Sequence, residues 1–500
     1  MNLARHREKG REGDTAEGSG RGRCRSTGGA VRHAALLCAA LVLAAACAAA
    51  PAAAGPRPGK LLWSHTFNAA QDWCAPTDTA LGPDGSLYVA GFAGPVGGAT
   101  CDFVLAKYSP SGARKWVRTW DGPSHSFDQA VAVAVSPAGL VVLTGLTTGN
   151  LTSYDMATVA WNFSGHRLWT KIVAGPGLSL DEGTDVVATA AGAVYVAGGV
   201  GGNGTGLDFT VIKYAKNGRQ LWRRAIDGSA HDRDCANALA LDAAGNVYAA
   251  GVMYITGNGQ DLAVAKYTPS GHRAWLRTWN GPYSLHEWAQ DVAVGHNAVT
   301  AVGAGDGAGF RQKAVYASYS LSGHVKFAGM MGADDITSSW LDAVAVDRTG
   351  HIVAGGWEDF GSGGGADMLV MRMNPDGSLV WGVPIGGWEG DNDQIVDVAV
   401  TGDGTIYACG SIATETNGTD VVVMRLDSQA TCAWWGQYEK AGDDDASALA
   451  VSASGVYVAG ETGSPAAVFK YKLCERRGGL ERGGAAPSGA APPLSPLRQA

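Results

Sequence analysis

An all-β fold, a single ring of eight four-stranded blades, is what this sequence predicts, and three observations predict it. The first is a ladder. Trp63, Trp116, Trp169, Trp222, Trp275, Trp381 and Trp434, with Phe327 at the missing rung, follow one another in steps of 53, 53, 53, 53, 52, 54 and 53 residues. The second is a glycine that closes the second strand-like run of each repeat, at Gly91, Gly145, Gly198, Gly251, Gly303, Gly355, Gly410 and Gly460. The third is content: each repeat holds four short runs with apolar residues at alternate positions. A constant period of about 50 residues built only from strands is the signature of a propeller array.

The stretch 208–222, DFTVIKYAKNGRQLW, shows the unit most plainly. An Asp opens the third strand, apolar residues alternate up to a Lys-Tyr pair, Asn217-Gly218 makes a turn, and the ladder Trp sits in the fourth strand. Four residues beyond each rung stand Phe67, Trp120, Val173, Ile226, Trp279, Met331, Ile385 and Tyr438, all apolar. Even spacing on a strand places rung and partner on one face, so both columns read as blade-to-blade core. The closing strand occurs eight times, but its first copy, 61–67, precedes any complete repeat. It is expected to complete the last blade beside residues 467–472, which closes the ring and leaves no exposed sheet edge.

The propeller is assigned to residues 60–474. Residues 1–30, rich in Arg and Gly, read as a disordered or untranslated extension. Residues 31–54 read as a secretory signal: Arg32-His33, an apolar run to Ala50, then small residues to Ala54. A second reading of this segment attaches a lipid to Cys47. Residues 475–500 have the composition of a disordered tail. Export permits oxidation of Cys74, Cys101, Cys235, Cys409, Cys432 and Cys474, and Cys74–Cys101, within one repeat, is the expected pair. Asn150, Asn162, Asn203 and Asn417 head glycosylation sequons that matter only in a host that uses them. The formal charge of −8 on 500 residues argues against a nucleic-acid partner. The mature chain is expected to lack a membrane span and to be monomeric, secreted or held at the cell surface.

The repeated text, as in residues 342–356 (DAVAVDRTGHIVAGG) and 102–116 (DFVLAKYSPSGARKW), resembles the bacterial SBBP-type β-propeller repeat family over about residues 60–474. That resemblance implies a secreted or surface propeller with no agreed activity, and it brings no catalytic motif with it. Local departures are Lys313 at a third-strand Asp position, and Ala160 and Ser318 at the Lys position. More distantly, the ladder looks like that of the eight-bladed quinoprotein dehydrogenases.

Within each repeat the first-to-second and third-to-fourth turns are short, so both longer loops emerge on one face, where function is expected. Three sets of residues concern that face. Asp78, Asp185, Asp291, Asp342 and Asp397 begin innermost strands, with Ala132, Ala238 and Ser447 in other blades. As a ring of carboxylates around the channel they are a candidate Ca²⁺ site through oxygen ligands, although no cofactor is required by the sequence. Asp102, Asp155, Asp208, Asp261, Asp367 and Asp420 open third strands, and Lys107, Lys213, Lys266, Arg372, Arg425 and Lys470 lie near the far ends. Odd spacing puts acid and base on opposite strand faces, which predicts pairing with a neighbouring strand or blade. The pattern-breaking residues are Trp73, Phe127, Trp288, Trp340, Trp357 and Trp388, with acids such as Asp232, Asp234, Asp334, Asp335, Glu358, Asp359, Glu389, Asp391, Asp393 and Asp443–Asp445 beside them. Aromatic faces with a polar rim suit sugars, so Trp73, Trp288, Trp340, Trp357 and Trp388 are the candidate ligand-binding residues. The function expected is a binding module for a polysaccharide or a surface protein. The alternatives are a polysaccharide lyase, hydrolase or quinoprotein-like dehydrogenase with its site at the channel mouth, and a repeat protein without a ligand. No catalytic residue is assigned.

Overall fold

The computed structural model describes residues 57–67, 73–95, 100–149, 154–176, 180–331, 337–361, 365–387, 393–414, 418–438, 442–462 and 466–473. The leader with Cys47, the C-terminal tail, Cys474, Trp388, Asp334, Asp335, Glu389 and Asp391 lie outside these residues. Among the described residues no helix is long and apolar enough to cross a membrane. The one helical element described is a 3-10 turn, Ala308–Phe310.

Eight four-stranded antiparallel sheets form a ring. Blade 1 takes residues 73–120, and blades 2 to 7 take 128–173, 182–226, 235–279, 287–330, 338–385 and 394–438. Blade 8 takes three strands from 444–471 and its fourth from the N-terminal strand Leu61–Thr66, which pairs antiparallel with Ala467–Tyr471. The first strand of each blade contacts the first strand of the next, and that of blade 1 contacts that of blade 8, so these strands line the centre. A parallel bridge not expected from the sequence, Arg57–Pro58 against Cys432–Tyr438, adds a fifth strand to blade 7.

The ladder is the joint between blades. The indole N–H of Trp222 donates to the carbonyl of Pro269 at 3.2 Å, in the third-to-fourth turn of the following blade. Trp116, Trp169, Trp275 and Trp381 do the same to Phe163, Lys216, Leu321 and Ser428 at 3.0–3.2 Å. The Trp169, Trp222 and Trp275 rings also lie against that turn's glycine. A Cβ on Gly271, whose φ is +86°, would stand 2.7 Å from the Trp222 ring, and Gly112, Gly218 and Gly323 meet Trp63, Trp169 and Trp275 in the same way. Glycine suits these turns twice over, for positive φ and for close approach, while Ala430 takes the position that faces Trp381, at a φ of +62°. Phe327 keeps the contact, against Gly377, without the hydrogen bond. The basic column ends on the same carbonyls: Lys213 Nζ reaches Pro269 O at 2.7 Å and Lys266 Nζ reaches Leu321 O at 2.8 Å. Lys107, Lys213, Lys266 and Lys470 each lie over a second-strand tyrosine, 4.7–5.0 Å from the ring centre. The spacing predicts pairing with a neighbouring strand or blade; Lys213, Lys266 and Lys470 reach the next blade, while Lys107 meets Asp84 at 3.4 Å within its own.

The second glycine column answers to a bulge. Every first strand has a register shift, after Pro76, Ala130, Gly183, Ala236, Ala289, Leu341, Ile395 and Ala446. The extra residue turns a first-strand carbonyl toward the second strand, where a Cβ on Gly91, Gly145, Gly198, Gly251, Gly303, Gly410 or Gly460 would collide with it. In blade 6 the residue facing that carbonyl, from Trp340, is Gly356 and not Gly355. The expected Cys74–Cys101 disulfide is not formed: both are buried thiols, Cys101 in the cluster with Ala75 and Phe92 against which Phe127 packs, Cys74 in a separate cluster with Phe67, Leu87 and Val89.

The ladder joint predicts a contrast between two glycines of equal φ. Gly257, also at +86°, has nothing within 4 Å of the position a methyl group would take, so Gly257→Ala is expected to cost only the left-handed strain of about 1–2 kcal/mol. Gly271→Ala adds overpacking against Trp222, about 1–3 kcal/mol more, and should lower the denaturant midpoint further.

Candidate functional site

The long-loop face is built on the first strands, and reading along one of them gives each position a separate job. The earliest described position holds Asp128, Asp181, Asp234, Glu287, Asp393 and Asp444, with Cys74 in blade 1 and Ser339 in blade 6; all eight are buried. The aspartates latch the incoming loop to the end of the second strand. Asp128 accepts from the Gly122 N–H and the Thr147 hydroxyl, both at 2.5 Å. Asp181 joins Gly175 N–H to Gly201 N–H, Asp234 joins Gly228 to Tyr254, and Asp393 joins Gly387 to Ala413, the second bond being 2.6 Å in each. Asp234 and Asp393 therefore serve the loop architecture. This column was missed in the sequence, though its signal is there: a glycine six residues before the acid, and a third-strand Asp or Lys313 26 residues before it in blades 2 to 7.

Just past the bulge stand Asp78, Asp185, Asp291 and Asp397, alternating around the ring with Ala132, Ala238, Ala343 and Ala448. Each carboxylate serves two backbone N–H groups. Asp78 takes Thr79 N–H at 2.6 Å and, in the next blade, Val133 N–H at 2.7 Å. Asp185 takes Val186 and Leu239, and Asp291 takes Val292 and Val344. Asp397 takes Leu449 at 2.8 Å and is also bonded by Val398. Four carboxylates thus satisfy the eight amides freed by eight bulges. Asp342 does not belong to this column: it is the bulge residue itself, with Ala343 at the ring position, and Ser447 likewise gives way to Ala448.

The four ring carboxylates are half-buried around the channel, and desolvation dominates their ionisation. Burial pushes Asp78 up to about 8, Asp291 to about 7, and Asp185 and Asp397 to about 6, against the pull of the N–H bonds. Neighbouring ring carboxylates add to the rise at Asp78 and Asp291.

The position between latch and bulge varies most: Ala75, Gln129, Glu182, Cys235, Trp288, Trp340, Gln394 and Asp445. Two adjacent blades carry Trp, and their rings meet edge to face with centres 5.1 Å apart. Trp357, the register partner of Trp340, lies 6.5 Å beyond it and nearly parallel, at 22°. The structure therefore brings Trp288, Trp340 and Trp357 together as one half-buried row across blades 5 and 6. Trp73 begins the first strand of blade 1, away from this row in the ring, and its side chain lies outside the described set. Asp342 belongs with the row. Burial raises its carboxyl to about 7, the Trp340 indole approaches it without closing a full hydrogen bond, and Oδ2 is buried without a partner. Around the row, Tyr283, Phe310 and Phe360 are 40%, 74% and 45% exposed, and all three stand on long loops leading into or within blades 5 and 6. The other large apolar side chains exposed among the described residues are aliphatic and lie on fourth strands. An open groove of about 420 Å³ between Trp279, Tyr283 and Met330 continues the patch outward.

The class of protein this defines is an eight-bladed propeller with an aromatic patch on its long-loop face and the Asp342 carboxyl beside it. A family described as "Domain of unknown function (DUF5122) beta-propeller" matches residues 348–379, which supports a propeller family for the chain. No curated protein matches significantly. Among solved structures, a catalytically inactive virginiamycin B lyase from Staphylococcus aureus with quinupristin is similar at 10% identity and a TM-score of 0.42, over 82% of this chain and 99% of that one. The Neurospora crassa Pan2 WD40 domain is similar at 10% identity and 0.41, over 69% and 90%. A puromycin hydrolase mutant complexed with PGG is similar at 14% identity and 0.44, over 81% and 61%.

The ring carboxylates carry a pH prediction. An acid whose folded value lies above its unfolded 3.8 holds protons more tightly when folded. Its contribution is complete below about pH 4 and is lost as pH rises through about 6 to 8. The urea midpoint is expected to fall between about pH 5 and about pH 8, and Asp78→Asn to flatten that fall. An unchanged slope in the variant would assign the pH dependence elsewhere.

Proposed function

We propose that this protein is an exported binding module that recognises a polysaccharide through the aromatic patch on the long-loop face of blades 5 and 6. The observation that carries the reading is the contiguous row Trp288, Trp340 and Trp357 with Asp342 beside it. A row of rings offers apolar area to successive sugar faces, and a partly protonated carboxyl can donate to or accept from a hydroxyl at its rim. Export is the reading of residues 31–54. Binding is favoured over catalysis because Asp234 and Asp393, acids a hydrolytic reading would draw on, are held by backbone N–H groups.

Retention of the purified chain on a panel of soluble and insoluble polysaccharides tests this. Trp288→Ala and Trp340→Ala, each removing one stacking surface, are expected to weaken binding roughly tenfold apiece, as about 1.4 kcal/mol of aromatic contact implies. Asp342→Asn should alter the preference among sugars more than the affinity. Retention that survives in the double Trp variant would remove the patch from the explanation. Absence of retention across the panel would leave a surface protein as the ligand class to test.

A further inference from the structure

At the joint between blades 1 and 2, Asp102, Asp121 and Asp128 bring ligand oxygens within 4.8 Å of one another. Asp128 is already committed to two hydrogen bonds there, and an acidic cluster alone is no site. Three repeats on, 159 residues later at each position, stand Asp261, Asn280 and Glu287. This second copy differs in a way that points to a ligand. Asp261 is 2% exposed and Glu287 0%. Asp261 Oδ1, both Glu287 carboxylate oxygens and Asn280 Oδ1 are buried without a closed hydrogen bond, the Asn258 side chain being the one polar group that approaches Asp261. The Gly281 N–H, whose equivalents bond the latch aspartates, approaches Glu287 without closing a bond. The acids sense each other, and Asp306 adds a further negative charge nearby. Burying carboxylates side by side is unfavourable unless a proton or a cation neutralises them.

The next joint around the ring supplies an independent indication. Between blades 5 and 6 the positions of Asp261 and Glu287 are held by Lys313 and Ser339. The Lys313 ammonium, on a side chain 1% exposed, is bonded to the Thr337 carbonyl at 2.6 Å and its hydroxyl at 2.8 Å. Where the chain loses the carboxylate pair, it places a tethered cation.

We propose that the joint between blades 4 and 5 binds a hard divalent cation of the Ca²⁺ class through Asp261, Asn280 and Glu287. The donor set is all oxygen, with one carboxylate able to act bidentately, which suits Ca²⁺ and excludes soft metals. The site lies apart from the channel ring, whose carboxylates are engaged by amides. By joining the third strand of blade 4 to the entry loop of blade 5, the ion would fix Tyr283 and the base of Trp288.

Tb³⁺ luminescence sensitised by Trp279, which adjoins Asn280, and competition by Ca²⁺ test this on the full-length chain after chelation. Saturable emission displaced by Ca²⁺ is expected, with a rise in the unfolding temperature on adding Ca²⁺. Glu287→Gln and Asp261→Asn, near-isosteric and checked for native circular dichroism, should each weaken binding at least tenfold and abolish the thermal shift. No emission and no shift in the unaltered protein would overturn the proposal. So would unchanged binding in both variants, or binding lost in Asp128→Asn and retained in Glu287→Gln.

Discussion

The ring is held by one repeated contact, a carbonyl oxygen in a third-to-fourth turn that receives a donor from the preceding blade and, at three joints, a second. Pro269 O takes both Lys213 Nζ and Trp222 Nε1, and Leu321 O takes both Lys266 Nζ and Trp275 Nε1. Arginines stacked on the same indoles, Arg224 and Arg277, reach the glycine carbonyl two residues along at 2.7 Å. Donor geometry and ring contact act together, so a blade can neither slide along its neighbour nor tilt from it without losing both. This contact also explains the closure. Trp63, from the start of the propeller, covers Gly112, while Lys470, from its end, donates to Pro110 O at 2.8 Å. Both ends of the chain supply one joint. Blade 8 has no third-to-fourth turn of its own, and Gly59 lies against the Trp434 ring in its place, 2.6 Å from a Cβ position.

The two rims of each blade consequently have opposite character. Toward the short turns, cations and indoles meet carbonyls; toward the long loops, first-strand carboxylates meet amides. The carboxylate end is the more constrained, because every bulge frees an amide that must find an acceptor away from bulk water. Alternating Asp with Ala meets this demand with half the charges that one acid per blade would bring, which limits repulsion around a narrow channel. The stabilising amide bonds and the destabilising burial act on the same four groups, and burial prevails in setting their proton affinity.

Much of this was legible in the sequence because packing columns repeat at constant spacing. The Trp ladder, the glycine column, the closing strand and the inter-blade role of the basic column could all be read by counting. The errors come from bulges and loops. An extra residue in a strand breaks alternation without changing composition, so Asp342 and Gly355 looked like members of columns that belong to Ala343 and Gly356. The latch acids lie across loops of varying text, and their 26-residue relation to the third strand is invisible within any one strand. The exposure of Tyr283, Phe310 and Phe360, and the meeting of Trp288 with Trp340, depend on neighbouring blades. Such contacts have no signature in local sequence.

Blades 5 and 6 concentrate the departures, and their coincidence argues against drift. Phe327 replaces the ladder Trp, Lys313 and Ser339 replace an acid pair, Asp342 places an acid on the bulge itself, and Trp288 and Trp340 fill the variable column. A repeat fold tolerates isolated losses, since each joint is one of eight. Several changes at one joint, each weakening a device kept elsewhere, indicate a local demand that outweighs uniformity. The demand is visible in what the changes accomplish. A buried ammonium removes negative charge from the loop base, an acid is left without amide partners, and three indoles share one edge of the channel mouth. Rigid joints around the rest of the ring hold that edge in place and so fix the spacing of its rings.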